Sequence, residues 1–158
     1  DLKNPGFELW KTFNSQSYLS NWSAQQHAGE PSFVFLRDEE EFVSGESSLR
    51  IERIGTQPWG SVVQVIPTPK LKGKRFRFSA EAKMDKITTD GFSLMVIVKG
   101  VGVGGSPIYT RKFDGLSSWE NASIEGVIPK SATRITVGMT LEYGQVLWLD
   151  NAQLEVLP

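Results

Sequence analysis

Arg75-Phe76-Arg77-Phe78-Ser79-Ala80-Glu81-Ala82-Lys83-Met84 is the stretch that decides the fold class. Arg75, Arg77, Ser79, Glu81 and Lys83 alternate with Phe76, Phe78, Ala80, Ala82 and Met84. A period of two, held this long, marks a strand with one face in a core and the other in water. The pattern returns near the far end. Ile135, Val137, Met139 and Leu141 stand against Arg134, Thr136, Gly138, Thr140 and Glu142.

Working outward from 75–84, strand signals recur about every ten residues, divided by turn chemistry, as a sandwich or barrel requires. Ser32-Phe33-Val34-Phe35-Leu36 is a first clear strand, followed by the acidic stretch Asp38-Glu39-Glu40-Glu41. Ser44-Gly45-Glu46 turns into a strand over 48–54, where Leu49 and Ile51 alternate with Arg50 and Glu52. The next strand, 59–66, ends at Pro67 and Pro69 because proline cannot donate to a ladder. The stretch 92–98 is more uniformly apolar and predicts a strand covered on both faces. No helix, internal repeat or linker is legible. The strand pattern leads to an all-β sandwich or barrel, one domain over 1–158.

Composition narrows the function. A chain of 158 residues is long enough to bury roughly 70% of its unfolded surface. The net charge of −1 gives nothing to draw it to phosphate backbones or anionic lipid, so neither nucleic acid nor membrane is expected as a partner. No apolar run approaches the ~20 residues a membrane span needs. Without cysteine there is no thiolate chemistry, and the fold needs no disulfide. The chain begins at Asp1 and is expected to be a mature fragment or a module of a larger polypeptide.

Several motifs have plain readings. Gly100-Val101-Gly102-Val103-Gly104-Gly105 formally matches G-x-G-x-x-G, but Ser106-Pro107-Ile108-Tyr109 follows as a strand rather than the required helix. A hairpin loop explains the glycines. His27, the sole histidine, cannot anchor a zinc cluster, and no G-x-S-x-G accompanies it for a nucleophilic triad. Glycoside hydrolysis needs only two carboxylates, yet no acidic pair stands inside an apolar, cleft-like segment. The acidic stretch reads as a solvated loop, with a cation site as the alternative, since hard cations need converging oxygens.

Four segments resemble the jelly-roll carbohydrate-binding modules of families 4, 9, 16 and 22, a galactose-binding-like β-sandwich superfamily. Asn4-Pro5-Gly6-Phe7-Glu8 is similar to their opening Asn-x-Gly-Phe-Glu signature, with Trp22 as its downstream tryptophan. Ser44-Gly45-Glu46-Ser47-Ser48-Leu49-Arg50-Ile51 resembles their Gly-x-x-Ser-Leu turn and strand. The strands at 59–64 and 71–80 resemble the long pair that follows, and Ile128-Pro129, Ala132-Thr133 and 147–154 the closing strands.

The resemblance implies an all-β, two-sheet antiparallel β-sandwich of jelly-roll type. It also implies a non-catalytic module that binds a plant or microbial polysaccharide in a groove on one sheet, in a secreted bacterial enzyme that degrades glycans. It would be tethered to a catalytic domain in the parent chain. Sugar rings offer apolar C–H faces, so such a site wants flat platforms flanked by polar groups. Trp59, at a strand start where the family often stacks ligand, is the first platform. A rim tryptophan packing on the sandwich edge is the competing reading. Tyr109 is the second platform. Glu142 matches a ligand-contacting glutamate of family 22, although the tyrosine those relatives carry four residues earlier is Gly138 here. Gln64, Arg77 and Glu81 are candidates for the same open sheet. Trp10, Trp22, Trp119 and Trp148 are assigned to the core or its rim.

The superfamily also implies a structural calcium ion tying the ends together. Glu8 and Asp150 match the positions that supply its carboxylates, and backbone carbonyls near Gly45 and Glu46 would complete the shell. The alternative is that Asp150 only caps a turn with Asn151. Two further functions stay open: a structural or adhesion jelly roll that grips a protein, and a lyase or glycosidase on the same fold.

Overall fold

The alternating stretch at 75–84 is a strand next to the centre of one of two five-stranded antiparallel sheets. A computed structural model describes residues 1–85, 91–100, 102 and 108–158. In chain order its strands are β1 (Trp10–Phe13), β2 (Gln16–Leu19), β3 (Ser23–Gln26), β4 (Phe33–Asp38), β5 (Ser48–Arg53) and β6 (Trp59–Ile66). They continue as β7 (Arg75–Met84), β8 (Phe92–Gly100), β9 (Ile108–Phe113), β10 (Glu120–Val127), β11 (Ala132–Glu142) and β12 (Val146–Leu157). One sheet has the order β10-β7-β12-β5-β4 and the other β3-β6-β11-β8-β9, while β1 and β2 form a separate hairpin. The architecture is a jelly-roll β-sandwich, and among the described residues there is no helix.

The core lies where the two alternations meet. Phe76, Phe78, Ala80 and Ala82 from one sheet and Ile135, Val137, Met139 and Leu141 from the other are all fully excluded from solvent. Leu49, Ile51, Leu147, Leu149, Phe92 and Leu94 complete the layer. The expected strand at 92–98 forms, but its two faces differ. Phe92, Leu94, Val96 and Val98 are buried, whereas Ser93, Met95 and Ile97 are only half-buried, and Met95 and Ile97 line an open groove. The apolar run therefore served two surfaces, a core and a groove floor. The glycine-loop reading falls on Val101 and residues 103–107, which lie outside the described residues.

The N-terminal signature is a turn built on one side chain. The Asn4 amide donates to the carbonyls of Leu9 at 3.0 Å and Ser20 at 2.8 Å, and its oxygen accepts the Leu9 N–H at 3.0 Å. The Asn4 carbonyl accepts the Trp22 indole N–H at 3.0 Å and the Phe7 N–H at 3.2 Å. Phe7 is fully buried, its ring 5.2 Å from that of Trp22. Asn4 and Phe7 both take left-handed backbone angles, φ 49° and 55°, which asparagine tolerates far better than most residues. The chain's far end docks here, because the Ala152 N–H donates to the Pro5 carbonyl at 2.8 Å.

The outer face of the β10-β7-β12-β5-β4 sheet is closed by paired charges. Arg77 meets Glu125 at 2.7 Å and Glu155 at 3.7 Å, and Lys83 meets Glu41 at 2.8 Å. Arg50 pairs with Glu52 and lies 3.8 Å from Asp38. Trp148 sits in the row between Arg50 and Lys83, whose cationic ends are 5.7 and 5.3 Å from its ring. The acidic stretch, expected as a solvated loop, is instead fastened to this face. Asp38 accepts the Trp148 indole N–H at 2.9 Å and Glu41 that of Trp119 at 2.9 Å. Burial would raise the Asp38 carboxyl, but N–H donors from Glu41, Trp148 and Glu40 and the Arg50 charge outweigh it and hold it below its ordinary value.

Replacing the turn's organiser should be expensive. Asn4→Ala leaves the Leu9 N–H and the Ser20 carbonyl without their Asn4 partner, while the Leu9 carbonyl keeps the Ser20 N–H, at about 1–3 kcal/mol per group left unmet. A urea midpoint displaced by about 2 kcal/mol or more is the expected result, and an unchanged midpoint would remove Asn4 from this role.

Candidate functional site

The open face of the β3-β6-β11-β8-β9 sheet carries a cavity of about 460 Å³. Its lining follows from strand register, since residues opposite one another share a face. At one end Trp59 of β6 stands directly across from Glu142 of β11. The next row is polar: Gln25, Ser61, Thr140 and Ser93. Beyond it Ser23, Val63, Gly138 and Met95 form a row, followed by Val65, Thr136 and Ile97. Arg134, opposite Lys99, ends the series.

The floor is aliphatic, and Gly138 is why it is flat. A methyl group at Gly138 would lie 2.8 Å from the Met95 ε-carbon, 2.8 Å from the Val62 carbonyl oxygen and 2.8 Å from a Val63 γ-carbon. The neighbouring rows close over the glycine.

Trp59 is half-buried and held from behind. His27 meets its ring edge-on, with centroids 6.1 Å apart and planes at 90°. The His27 Nδ1 lies 2.7 Å from Gln57 Oε1 and 3.0 Å from the Ala28 carbonyl, two acceptors, so this nitrogen carries the hydrogen. The Gln57 amide donates in turn to Glu30 at 2.8 Å, and the Thr56 hydroxyl binds the same carboxylate. These two bonds hold the exposed Glu30 carboxyl below its ordinary value. A run of polar contacts from Glu30 through Gln57 to His27 thus fixes the platform's orientation.

Tyr143 is a groove-end aromatic that sequence reasoning missed. Simple alternation sends the residue after Glu142 to the core, but Tyr143 has φ 52° and turns outward to 56% exposure. Its N–H donates to the Pro58 carbonyl at 2.9 Å, beside Trp59, and the Arg53 guanidinium lies 5.5 Å from its ring. Gln25 and Ser23 were missed because β3 reads Ser-Ala-Gln-Gln, without the apolar alternation that reveals a strand.

The other expected binding residues lie elsewhere. Gln64 alternates onto the core side of β6, where it accepts the Lys3 N–H at 2.8 Å and donates to the Lys3 carbonyl at 2.9 Å. Tyr109 stands across from the buried Val96, so it faces inward. Its ring meets Phe76 edge-on at 5.4 Å and its hydroxyl donates to the Val127 carbonyl at 2.5 Å. It closes the gap between the sheets. Arg77 and Glu81 belong to the other sheet's outer face, where Arg77 is ion-paired and Glu81 accepts the Asn121 amide at 3.0 Å. Alternation told which residues face outward but not which sheet each strand joins.

Of the expected calcium ligands, Glu8 and Asp150 both reach the segment 43–47. Asp150, fully buried, accepts N–H groups of Val43 at 2.8 Å, Ser44 at 3.1 Å and Asn151 at 2.8 Å. Glu8 accepts the Glu46 N–H at 3.1 Å and the Ser47 hydroxyl at 3.1 Å. Gly45 makes this approach feasible, since a Cβ there would stand 2.0 Å from the Glu8 carboxylate, and its φ is +71°. Burial pushes the Asp150 carboxyl up, and the Glu8 charge adds to the rise against three opposing N–H bonds. Two carboxylates held this way fit a hard cation by charge. Glu46 is exposed and meets Glu8 through its N–H. Among the described residues no group of three or more His, Cys, Asp or Glu is placed to hold a metal.

No protein-family model and no curated protein sequence matches the chain. Solved structures do. The C-terminal family 22 carbohydrate-binding module of Clostridium thermocellum Xyn10B aligns at TM-score 0.65 and 19% identity over 99% of this chain and 96% of that one. TmCBM61, solved with β-1,4-galactotriose, aligns at TM-score 0.62 and 17% identity over 99% and 97%. The enzymatically active domain of bacteriophage CBA120 tailspike protein 4 aligns at TM-score 0.66 and 14% identity over 87% of this chain, which spans 20% of the tailspike chain. The chain has the jelly-roll fold of these carbohydrate-binding modules.

The closed floor makes a direct stability prediction. Gly138→Ala forces Met95, Val63 or the β6 backbone to move, and overpacking of this kind costs about 1–3 kcal/mol. Chemical denaturation should show a loss in that range; a neutral substitution would mean that the rows do not close over the glycine.

Proposed function

We propose that this protein is a non-catalytic polysaccharide-binding module, and that the groove headed by Trp59 and Glu142 is where it takes its ligand. The observation that carries the reading is the groove itself. An oriented aromatic ring and an aliphatic floor stand beside a row of hydroxyl and amide groups, on the open sheet of a fold shared with xylan- and galactan-associated modules. Apolar rows suit the C–H faces of sugar rings, and Gln25, Ser61, Thr140 and Ser93 suit their hydroxyls. The module would be secreted with a glycan-degrading enzyme. A family 22 module joined to the GH10 module of Clostridium thermocellum Xyn10B is a solved example of such a fusion. Tethering raises the catalytic domain's effective concentration on the polymer.

A second reading, a structural or adhesion domain gripping a protein, is favoured by one observation. Beside the β1–β2 hairpin lies a groove of about 810 Å³ that includes Trp10, Tyr18, Phe35 and Leu36, with Phe13 exposed at the hairpin end.

Native affinity electrophoresis across neutral and acidic soluble polysaccharides, with Trp59→Ala alongside, separates these readings. Loss of a buried aromatic anchor costs about 2 kcal/mol, roughly thirtyfold in Kd. Retardation by one polymer class and its loss in the variant is the expected result. If every polymer leaves the protein unretarded, the adhesion reading takes precedence.

The calcium ion belongs to the same proposal: Glu8 and Asp150 would hold it, and its role would be to pin the chain's ends. Asp150 has a folded pKa above its unfolded one. Its contribution is therefore fully present below the ordinary carboxyl pKa of 3.8 and is lost as pH rises through the folded value. A bound cation would offset that loss. Calcium should raise Tm at pH 7, EDTA should reverse the gain, and the gain should shrink near pH 4. Asp150→Asn should abolish it. A calcium-independent Tm in the parent protein would end this part of the proposal.

A further inference from the structure

The groove has two chemically different ends. Glu142 and Trp59 stand at one, and eight residues along β11 Arg134 stands at the other, about 26 Å away at the usual strand rise. Lys99 is opposite Arg134 on β8, and the alternation that turns Ile97 and Thr136 to the groove turns these two side chains the same way. Lys112, across β8 from Ser93, is a third cation on this face. Glu142 is the single carboxylate among the described residues of these rows.

Among the described residues no carboxylate pairs with these cations. Among the described residues neither the Arg134 nor the Lys99 side chain has an ion pair or a hydrogen bond. The opposite sheet behaves differently, with Arg50, Arg77 and Lys83 all paired to carboxylates. The chain as a whole carries a net charge of −1, so the basic groove end is a local arrangement and not a reflection of overall charge. Arg134 lines the same cavity as the apolar floor, and the Thr136 hydroxyl and the Val65 and Ile97 side chains stand next to it.

Resting on the polysaccharide-binding reading, we propose that the Arg134–Lys99 end is a carboxylate subsite and that the preferred ligand is an acidic, uronate-bearing polysaccharide. A guanidinium presents a planar fork that matches a carboxylate in two parallel hydrogen bonds, and Lys99 adds a second positive charge beside it. The apolar rows then carry the ring faces of the chain, while the carboxylate fixes which stretch of it occupies the groove.

The test measures binding of the intact protein to sodium polygalacturonate, to the same polymer after reduction of its carboxyl groups, and to a sulfated dextran, at low and high salt. Arg134→Gln and Lys99→Gln, both changes on exposed strand positions, are run beside the parent after a check of their melting curves. The acidic polymer should bind more tightly than its reduced form. Arg134→Gln should erode that advantage about fivefold, as expected for a partly solvated pair, and salt should erode it further. Equal binding of the two forms, or an advantage untouched by both substitutions, would overturn the subsite and leave the polysaccharide-binding reading standing. An equal gain on sulfated dextran would also overturn it, because charge alone would then explain the preference. Failure of all polymers, the neutral ones included, would overturn both.

Discussion

Much of this fold depends on two carboxylates meeting one stretch of backbone. Glu8 comes from the opening turn and Asp150 from the last strand, and both close on N–H groups of the segment 43–47. Three regions remote in sequence are thereby fixed to one another before any metal is considered. The arrangement explains the local oddities around it. Gly45 has no side chain because Glu8 occupies that space, and β12 breaks its register between Asp150 and Gln153, with Asn151 in a left-handed conformation. A carboxylate that accepts several backbone donors can tolerate deep burial. One that also feels a second carboxylate does so at a cost, which is the physical opening for a cation.

With the ends fixed, the two outer faces of the sandwich are free to take different characters. On the β10-β7-β12-β5-β4 sheet the charges are matched and the tryptophans spend their indole N–H groups on the acidic segment. Such a surface is largely satisfied within itself, the Arg50 Nε being the exception. On the other sheet the equivalent positions hold small polar groups, aliphatic side chains and unmatched cations, around a cavity. Binding energy comes from groups whose requirements the folded chain leaves unmet. Under the proposed function, the unpaired Arg134 and Lys99 at the groove end are such groups.

The sequence revealed the strands and their faces well, because period-two alternation at 75–84 and 134–142 reports burial directly. β6 and β7 have the bounds the pattern marked. It was silent where burial is not the organising force: β1, β2 and β3 are short and polar, and their place depends on the Asn4 turn. Site residues were legible only in part. Trp59 and Glu142 share a row, whereas Arg77 and Glu81 look equivalent in sequence and face away from the groove. Which sheet a strand joins is a long-range property that alternation cannot encode. Tyr109 shows a different limit. A tyrosine at a strand edge serves as readily to close a seam as to receive a ligand.

That seam has a consequence for behaviour at high local concentration. β9 and β10 are the outermost strands of their sheets on one side, and such strands invite pairing with another molecule. Here the Tyr109 hydroxyl and the Arg111 guanidinium occupy β10 carbonyls, at 2.5 and 3.3 Å. On the opposite side the β1–β2 hairpin packs beside β4. The row of open carbonyls along β10 is interrupted at Ser123 and Val127. At high local concentration the β9–β10 side is thus a poorer template for edge-to-edge pairing with a neighbour.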